Sequence, residues 1–215
     1  MAKRERIRWR NHLVNLVTVT AGVFAAFQAN RFQEARSIRQ QFNTQLATLR
    51  TALARDLAAI QSDAQILRER TAVCKRLADP GSRRKLWGRD TLSAFYRTLL
   101  VQPTFKRNEH AYRALTETAS LAVLLDSTLN HKLADVYDGA YATIEGHVLY
   151  AHQYFQIAIR NRQFGGGVSE AVVKTSSFQT MLIMYADWDR STLEAYTVAD
   201  RQVQDLLLLL NQSFL

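Results

Sequence analysis

The chain has few of the residues that cross-link a protein or break its helices. It contains one cysteine, Cys74, among 215 residues, so no intrachain disulfide can form. It contains only two prolines, Pro80 and Pro103, and eight glycines. Because helix breakers are scarce while Ala, Leu, Gln and Arg are frequent, the composition predicts a mostly helical protein.

The sequence also lacks the short motifs that carry common chemistries. It has no Glu-x-x-His pair for a di-metal bundle, no Cys-x-x-Cys-His for attached haem and no Gly-x-Ser-x-Gly around a nucleophile. Glycines 165–167 are not followed by the Gly-Lys-Ser/Thr of a phosphate loop. His147 and His152 are five positions apart, which is poorly suited to a shared metal. Together with Tyr150 and Tyr154 they could contact a pigment or haem, although aromatic packing is the more common role of such residues. We therefore predict no catalytic residue, no metal site, no cofactor and no enzymatic activity.

Charge is absent from residues 11–30, directly after a basic N-terminus. A helix of about 20 residues spans a bilayer core of about 30 Å, so this segment is long enough to cross a membrane. Positively charged flanks stay in the cytoplasm, and basic residues are denser before the segment than after it. The interfacial residues of this flank are Lys3, Arg4, Arg6, Arg8, Trp9 and Arg10.

This pattern predicts a cytoplasmic tail over 1–10, a transmembrane anchor over 11–30 and an extracytoplasmic helical bundle over 31–215. The expected location is a bacterial inner membrane with the bundle in the periplasm. Two alternatives remain. A cleavable signal peptide needs a small-x-small site, for which Val23 and Ala25 offer only a weak candidate. A buried or amphipathic helix of a soluble protein is the other.

Polar residues within the anchor indicate that it packs against another membrane helix. Asn15, Thr18 and Gly22 fall on one helix face, where small and polar side chains allow close approach. Outside the N-terminal ten residues, 23 basic and 18 acidic side chains leave a net charge of +5 on residues 11–215. A cluster that could contact anionic lipid or an acidic protein partner consists of Arg83, Arg84, Lys85 and Arg89, although a solvated loop is the commoner explanation of such a run. No nucleic-acid-binding module is recognisable, so nucleic acid is not an expected partner.

Apolar residues at steps of three and four predict one long helix from Arg31 to about Ala78, continuous with the anchor. Cys74 falls in register with buried-type positions of that helix, so we expect its thiol to be buried and inert. Short helices should follow, the first capped by Asp90 or Thr91 with Leu100 facing inward. Two further long helical regions are predicted, one from Asp126 or Ser127 and one that begins near Ser169, breaks around 175–177 and then resumes. They complete an all-α antiparallel bundle of about three long helices.

Two stretches resemble a widespread family of uncharacterised bacterial single-pass membrane proteins. Residues 22–36, GVFAAFQANRFQEAR, resemble the pattern G-[IV]-L-[IL]-A-L-Q-[IV]-N-x-W-N-E at the end of that family's membrane helix, with Phe32 in place of Trp. Residues 112–137 resemble its Y-x-x-L-x-x-S-G-x-L pattern, with Thr118-Ala119 in place of Ser-Gly. The resemblance implies a membrane anchor followed by a helical extracytoplasmic domain, and it implies no reaction.

These features together predict a non-enzymatic, membrane-anchored interaction or structural protein. We expect an accessory subunit of a larger inner-membrane complex, for example a respiratory or photosynthetic one, with the lipid bilayer and other membrane subunits as partners. The alternative is an extracytoplasmic helical bundle that binds a small molecule or acts as a sensor. The two differ in whether a protein complex or a ligand accompanies the purified chain.

Overall fold

The computed structural model describes residues 2–79, 81, 87–160 and 170–212, except for the side chains of residues 2–8, 10, 11, 152 and 154–160. The described residues form helices and connecting segments without a strand, so the predicted all-α class is confirmed. The helices are α1 (Ala2–Ala78), α2 (Arg89–Leu100), α3 (His110–Glu117), α4 (Ala119–Ala122), α5 (Ser127–Ala134), α6 (Tyr141–Arg160), α7 (Glu170–Val173) and α8 (Ser176–Gln212).

Helix α1 is one unbroken helix of 77 residues, as the lack of breakers predicted. At about 1.5 Å per residue it is about 115 Å long. It ends at Ala78, two residues before Pro80, whose ring cannot continue a helix. The described side chains in the first third of α1 are all exposed, whereas the last two thirds form the central helix of a bundle.

Helix α8 packs along α1 in the antiparallel direction. Arg70 of α1 pairs with Asp189, and Gln61 bonds to Asp200, so residue numbers rise on one helix as they fall on the other. Helix α6 also packs antiparallel to α8.

The register between α6 and α8 is fixed by two contacts. His147 Nδ1 lies 3.3 Å from Thr192 Oγ1, and the Tyr150 ring stacks on Trp188 at a centroid distance of 4.5 Å. Since both helices oppose α8, α1 and α6 run parallel to each other. The predicted antiparallel packing therefore holds for the pairs that include α8, and the chain returns between α1 and α6 through residues 87–126.

The core forms two clusters along the bundle. The larger one joins α1, α3, α5, α6 and α8 and contains Leu49, Leu53, Ile60, Leu133 and Tyr196, all fully buried. The smaller one lies at the far end of α1, where Cys74 and Leu77 pack with residues of α2, α7 and α8. Burial of the Cys74 thiol, predicted from its register, is confirmed.

The local signals for helix ends were reliable at one site and wrong at another. Asp126 caps α5 by accepting a hydrogen bond from Leu129 N at 2.8 Å, as predicted. In contrast, α2 begins after Gly88 without a side-chain cap, so neither Asp90 nor Thr91 caps it. Leu100, expected to face inward, is exposed, because α2 ends there and the chain continues as an extended segment.

A π-helical segment, Asp135–Ala140, joins α5 to α6 and keeps them one continuous rod. The widened turn leaves the Tyr137 carbonyl accessible, and Arg107 Nη1 donates to it at 2.6 Å. Tyr137 itself stacks on Tyr112 at 4.3 Å, with the two rings almost parallel. The glycine run 165–167, predicted to end this region, lies outside the described residues.

Candidate functional site

The apolar part of α1 is the feature that most constrains function. Beginning at His12, it contains a window of 18 residues that is long and apolar enough to cross a membrane, and none of that window is buried. Within the described ranges it is the one helix of this kind. Exposed side chains here include Leu16, Val19, Phe24 and Phe27. A buried core helix is therefore not the explanation, and the segment is compatible with a membrane anchor.

The three residues predicted to pack against another membrane helix lie on one exposed face. Thr18 Oγ1 donates to Val14 O at 2.9 Å, so its hydroxyl is satisfied within the helix. No heavy atom lies within 4 Å of the position that a Cβ on Gly22 would occupy. Asn15 is exposed as well. The described chain therefore leaves this face of α1 uncovered. Gly22, which has no side chain, is the position where another helix could approach most closely.

An exposed neck, residues 31–37, separates the apolar segment from the bundle. Every side chain in the neck is exposed, and burial on α1 begins at Ile38 and Phe42 before becoming complete at Leu46. The neck is about 10 Å long at 1.5 Å per residue. The membrane-compatible segment and the packed bundle are therefore close neighbours along one helix.

An open groove, which we call the exit groove, begins at the neck. It encloses about 1290 Å³ between α1 and the end of α4. Its lining residues are Phe32, Ala35, Arg36, Ile38, Arg39, Gln40, Asn43, Thr44, Ala47, Ser120, Val123 and Leu124. The groove is thus mixed in character, with two arginines on its α1 side and two large apolar residues on the opposite side.

Apolar side chains are exposed at the end of α4 because the local backbone places them there. Thr118 is extended (φ −85°, ψ 106°) and separates α3 from α4, so the turn needs no glycine, although the resembling family has Ser-Gly here. Leu121 faces the bundle and is buried. The next two apolar residues, Val123 (85% exposed) and Leu124 (39% exposed), face outward.

Of the residues predicted to contact the membrane or a partner, the structure describes the side chains of Trp9 and Arg89, which lie near opposite ends of α1. Trp9 is exposed, and the side chains of Lys3, Arg4, Arg6, Arg8 and Arg10 lie outside the described residues. Arg89 is the first residue of α2 and lies near the end of α1. Arg83, Arg84 and Lys85 lie outside the described residues. Residues 31–78 of α1 extend about 70 Å, so Arg89 is remote from the apolar segment.

Sequence reasoning missed a row of charged side chains on α1, which we call the polar ladder: Asp56, Asp63 and Arg70. They are seven residues apart and at most 5% exposed. Each faces the extended segment 101–109. Arg70 donates to Val101 O, Asp63 accepts from the backbone N–H groups of two residues in the segment, and Asp56 accepts from a third.

The polar ladder is satisfied at each position. Arg70 forms a buried bidentate pair with Asp189, at 2.7 Å and 2.5 Å, in addition to its contacts with the segment. Asp63 Oδ2 also accepts from the Tyr196 hydroxyl at 3.2 Å. Asp56 lies beside the hydroxyl of Tyr141, and burial raises the pKa of its carboxyl. The ladder therefore holds residues 101–109 against α1, which is a structural role.

Burial makes the acidic groups around the ladder poor proton donors and nucleophiles. It raises the pKa of Cys74 to about 12, with the charge of Asp189 adding to the effect. Burial also raises the pKa of Tyr137 and Tyr141, and the negative charge of Asp56 is the second cause of the increase. A pKa raised in this direction keeps the three groups in their neutral forms near neutral pH, so they act as packing groups.

The aromatic cluster around His147 is the other candidate site. Its cavity encloses about 90 Å³ and is lined by Tyr150, Ala151, Met184, Tyr185 and Trp188. The His147 ring lies 5.3 Å from that of Trp188. The side chain of His152 lies outside the described residues. Among the residues searched, no group of three or more His, Cys, Asp or Glu is placed to hold a metal ion.

No protein-family model matches the chain, and no curated protein sequence or solved structure is significantly similar to it. The functional argument therefore depends on the geometry of the chain itself.

Proposed function

We propose that this chain is a non-enzymatic, single-pass membrane protein whose helical bundle serves as an interaction module. The observation that carries the proposal is the apolar segment of α1, which is uncovered by the rest of the described chain and continuous with the bundle core. Water disfavours such a surface by about 25 cal/mol per Å², so a bilayer is its natural environment. The basic flank supports a cytoplasmic N-terminus and a periplasmic bundle in a bacterial inner membrane.

Within that membrane, we propose an accessory subunit of a larger complex. The open face at Asn15, Thr18 and Gly22 supports association with another membrane helix, because small residues let helix backbones approach closely. The remote end of the bundle, at Arg89, offers a second contact for the same assembly. The likeness to bacterial single-pass proteins agrees with this role. The mechanism is positional, in that α1 holds a rigid bundle at a fixed place on the membrane.

Extraction in a mild detergent, followed by size separation and mass spectrometry, tests the assembly. Stoichiometric co-migration with membrane subunits is the expected result. Gly22→Leu should remove the partner by filling the open face, while Val17→Leu, on the opposite side of α1, should retain it. Migration of the unaltered chain alone, or equal effects of both variants, would contradict the proposal.

Orientation has a separate test in spheroplasts. Single cysteines replace Trp9 or Thr51, both exposed, in a chain carrying Cys74→Ala. A membrane-impermeant thiol reagent should label the cysteine at position 51 and not the one at position 9. The reverse labelling pattern would place the bundle in the cytoplasm.

Binding of a small molecule is the second candidate, and the aromatic cavity is the observation that favours it. Its volume of about 90 Å³ is well below the roughly 300 Å³ of typical ligand pockets. Only a small fragment or an aromatic edge would fit. We therefore rank this function below the interaction role, and a ligand that co-purifies in stoichiometric amount would reverse the order.

A further inference from the structure

The end of α4 has an exposed apolar surface close to the proposed membrane. Val123 and Leu124 form its tip, and they line the same groove as residues of the neck. Because the groove begins at Phe32, it starts two residues after the end of the charge-free segment 11–30. The tip is therefore on the part of the bundle nearest to the apolar segment.

The dimensions of a bilayer place this tip near its surface. The hydrocarbon core is about 30 Å thick and the whole bilayer about 40–45 Å, which leaves about 5–8 Å of headgroup region on each side. The neck is about 10 Å long. Once the apolar segment occupies the hydrocarbon core, the neck crosses the headgroups and the lower end of the bundle rests on them.

The chemistry of the groove matches that position. Arg36 and Arg39 line its α1 side, and anionic headgroups attract basic side chains next to a membrane helix. Valine and leucine on the opposite side suit the boundary between headgroups and acyl chains. Phe32, which is exposed at the start of the groove, adds an aromatic side chain at the same level.

We propose that the α4 tip is a second membrane contact, in which Val123 and Leu124 enter the interfacial layer while Arg36 and Arg39 bind anionic lipid headgroups. This inference rests on the proposed membrane span of α1. It adds a fixed orientation, because two contacts prevent the bundle from rotating freely about the axis of the anchor. In this proposal the exit groove contacts lipid.

The test measures depth in the bilayer at three positions of the full chain. Val19, Val123 or Ile183 is replaced by cysteine in a Cys74→Ala background, labelled with an environment-sensitive fluorophore and reconstituted in phosphatidylglycerol-containing vesicles. Lipids carry a quencher at a defined depth. Ile183 is a matched control, since it is exposed on α8 at the end of the bundle remote from the anchor.

We expect the label at Val19 to be quenched by deep quenchers. The label at Val123 should be quenched by shallow ones at least threefold more than the label at Ile183. Quenching at Val19 without quenching at Val123 would overturn the α4 contact and leave the anchor intact. Quenching at neither position would overturn both. Cross-linking of Val123→Cys between copies, with no quenching, would show that the α4 tip contacts a second copy of the chain and not lipid.

The charge requirement is tested separately. Arg36→Gln together with Arg39→Gln should lower shallow quenching at Val123 at least twofold in phosphatidylglycerol vesicles, with little change in pure phosphatidylcholine. The control is Arg50→Gln with Arg55→Gln, two exposed arginines further along α1. An equal loss in both lipids, or an equal effect of the control pair, would overturn the role of Arg36 and Arg39.

Discussion

Individual charged residues determine how the extended segment 101–109 is held. Such a segment has no sheet partner, yet its backbone N–H groups must find acceptors once they are covered. Asp63 supplies one acceptor oxygen to both Thr104 N and Phe105 N, at 2.8 Å and 2.7 Å. The carboxylate thus replaces a neighbouring strand, which explains why a charge is retained at a core position.

Replacing Asp63 by alanine should therefore destabilise the bundle strongly. The two N–H groups would lose their acceptor, and buried unsatisfied donors cost roughly 1–3 kcal/mol each, so we expect a loss of about 3 kcal/mol. Chemical denaturation monitored by circular dichroism measures the free energy of unfolding. Asp187→Ala removes an exposed carboxylate paired with Arg190 and should change it by less than about 0.5 kcal/mol. Equal effects would show that Asp63 is dispensable.

Asp56 should behave differently, because burial raises the pKa of its carboxyl. The folded state then favours the protonated form, and this contribution to stability is lost as pH rises from the unfolded value of about 4 through the folded pKa. The Asn side chain in Asp56→Asn cannot ionise, so the variant should lose less stability as the pH rises. At pH 7 it should be at least as stable as the original protein. Unfolding curves from pH 4 to 8 provide the comparison, and a variant that is less stable throughout would contradict it.

Cys74 should be unreactive in the folded protein. Its side chain is fully buried and its thiol pKa is raised to about 12, so at pH 8 almost no accessible thiolate exists. A coloured thiol reagent should react only as denaturant unfolds the bundle, with the same midpoint as circular dichroism. Rapid reaction before the transition would show that the end of the bundle opens locally.

The outcomes at Cys74 and on the polar ladder show what sequence reveals at this scale. Burial of Cys74 could be predicted because it continues a row of apolar residues seven apart. Asp56, Asp63 and Arg70 have the same spacing, but a charge is usually assigned to the surface. Their partners lie between 31 and 133 positions away in the chain, and one sequence contains no signal for that pairing.

At the scale of the helix, α1 is notable for crossing from the apolar segment to the bundle without interruption. Nothing in residues 31–37 breaks it, and the sequence predicted this from the absence of proline and glycine. The start of α2 was mispredicted because Asp90 and Thr91 have good capping side chains while the backbone turns earlier, at Gly88. The π-helical segment was also beyond prediction, since its apolar spacing is compatible with an ordinary α-helix.

Continuity of α1 predicts a narrow distance distribution across the neck. Spin labels at Val23 and Thr51, both exposed, should be separated by about 42 Å at 1.5 Å per residue. Ser37→Pro should broaden the distribution, because proline removes a helical hydrogen bond and kinks the helix. Pulsed electron resonance in nanodiscs measures both. A broad distribution in the unaltered chain would mean that the neck bends.

At the scale of the whole molecule, the described part of the chain consists of an exposed apolar segment and a self-contained bundle. The all-α class and three long helices could be predicted from periodicity and the shortage of breakers. The parallel arrangement of α1 and α6 could not, because it depends on residues 87–126 returning along the bundle, and their path is set by the polar ladder. The exit groove escaped prediction for the same reason, since its two sides are far apart in sequence.

Deleting residues 1–30 should release the protein from membranes without changing the stability of the bundle. The apolar window is entirely unburied, so its removal takes no contact from the core. The melting temperature of the shortened chain, followed by circular dichroism, should agree with that of the full chain in detergent to within a few degrees. A large fall would show that the bundle needs the N-terminal part of α1 for more than attachment.

The uninterrupted length of α1 has a mechanical consequence. Membrane helices tilt by about 20° on average, and the tilt changes with the thickness of the bilayer. Because the lever from the neck to Ala78 is about 70 Å long, a tilt of that size displaces its far end sideways by about 24 Å. Small changes in bilayer thickness would therefore move a partner bound at Arg89 sideways by a large distance.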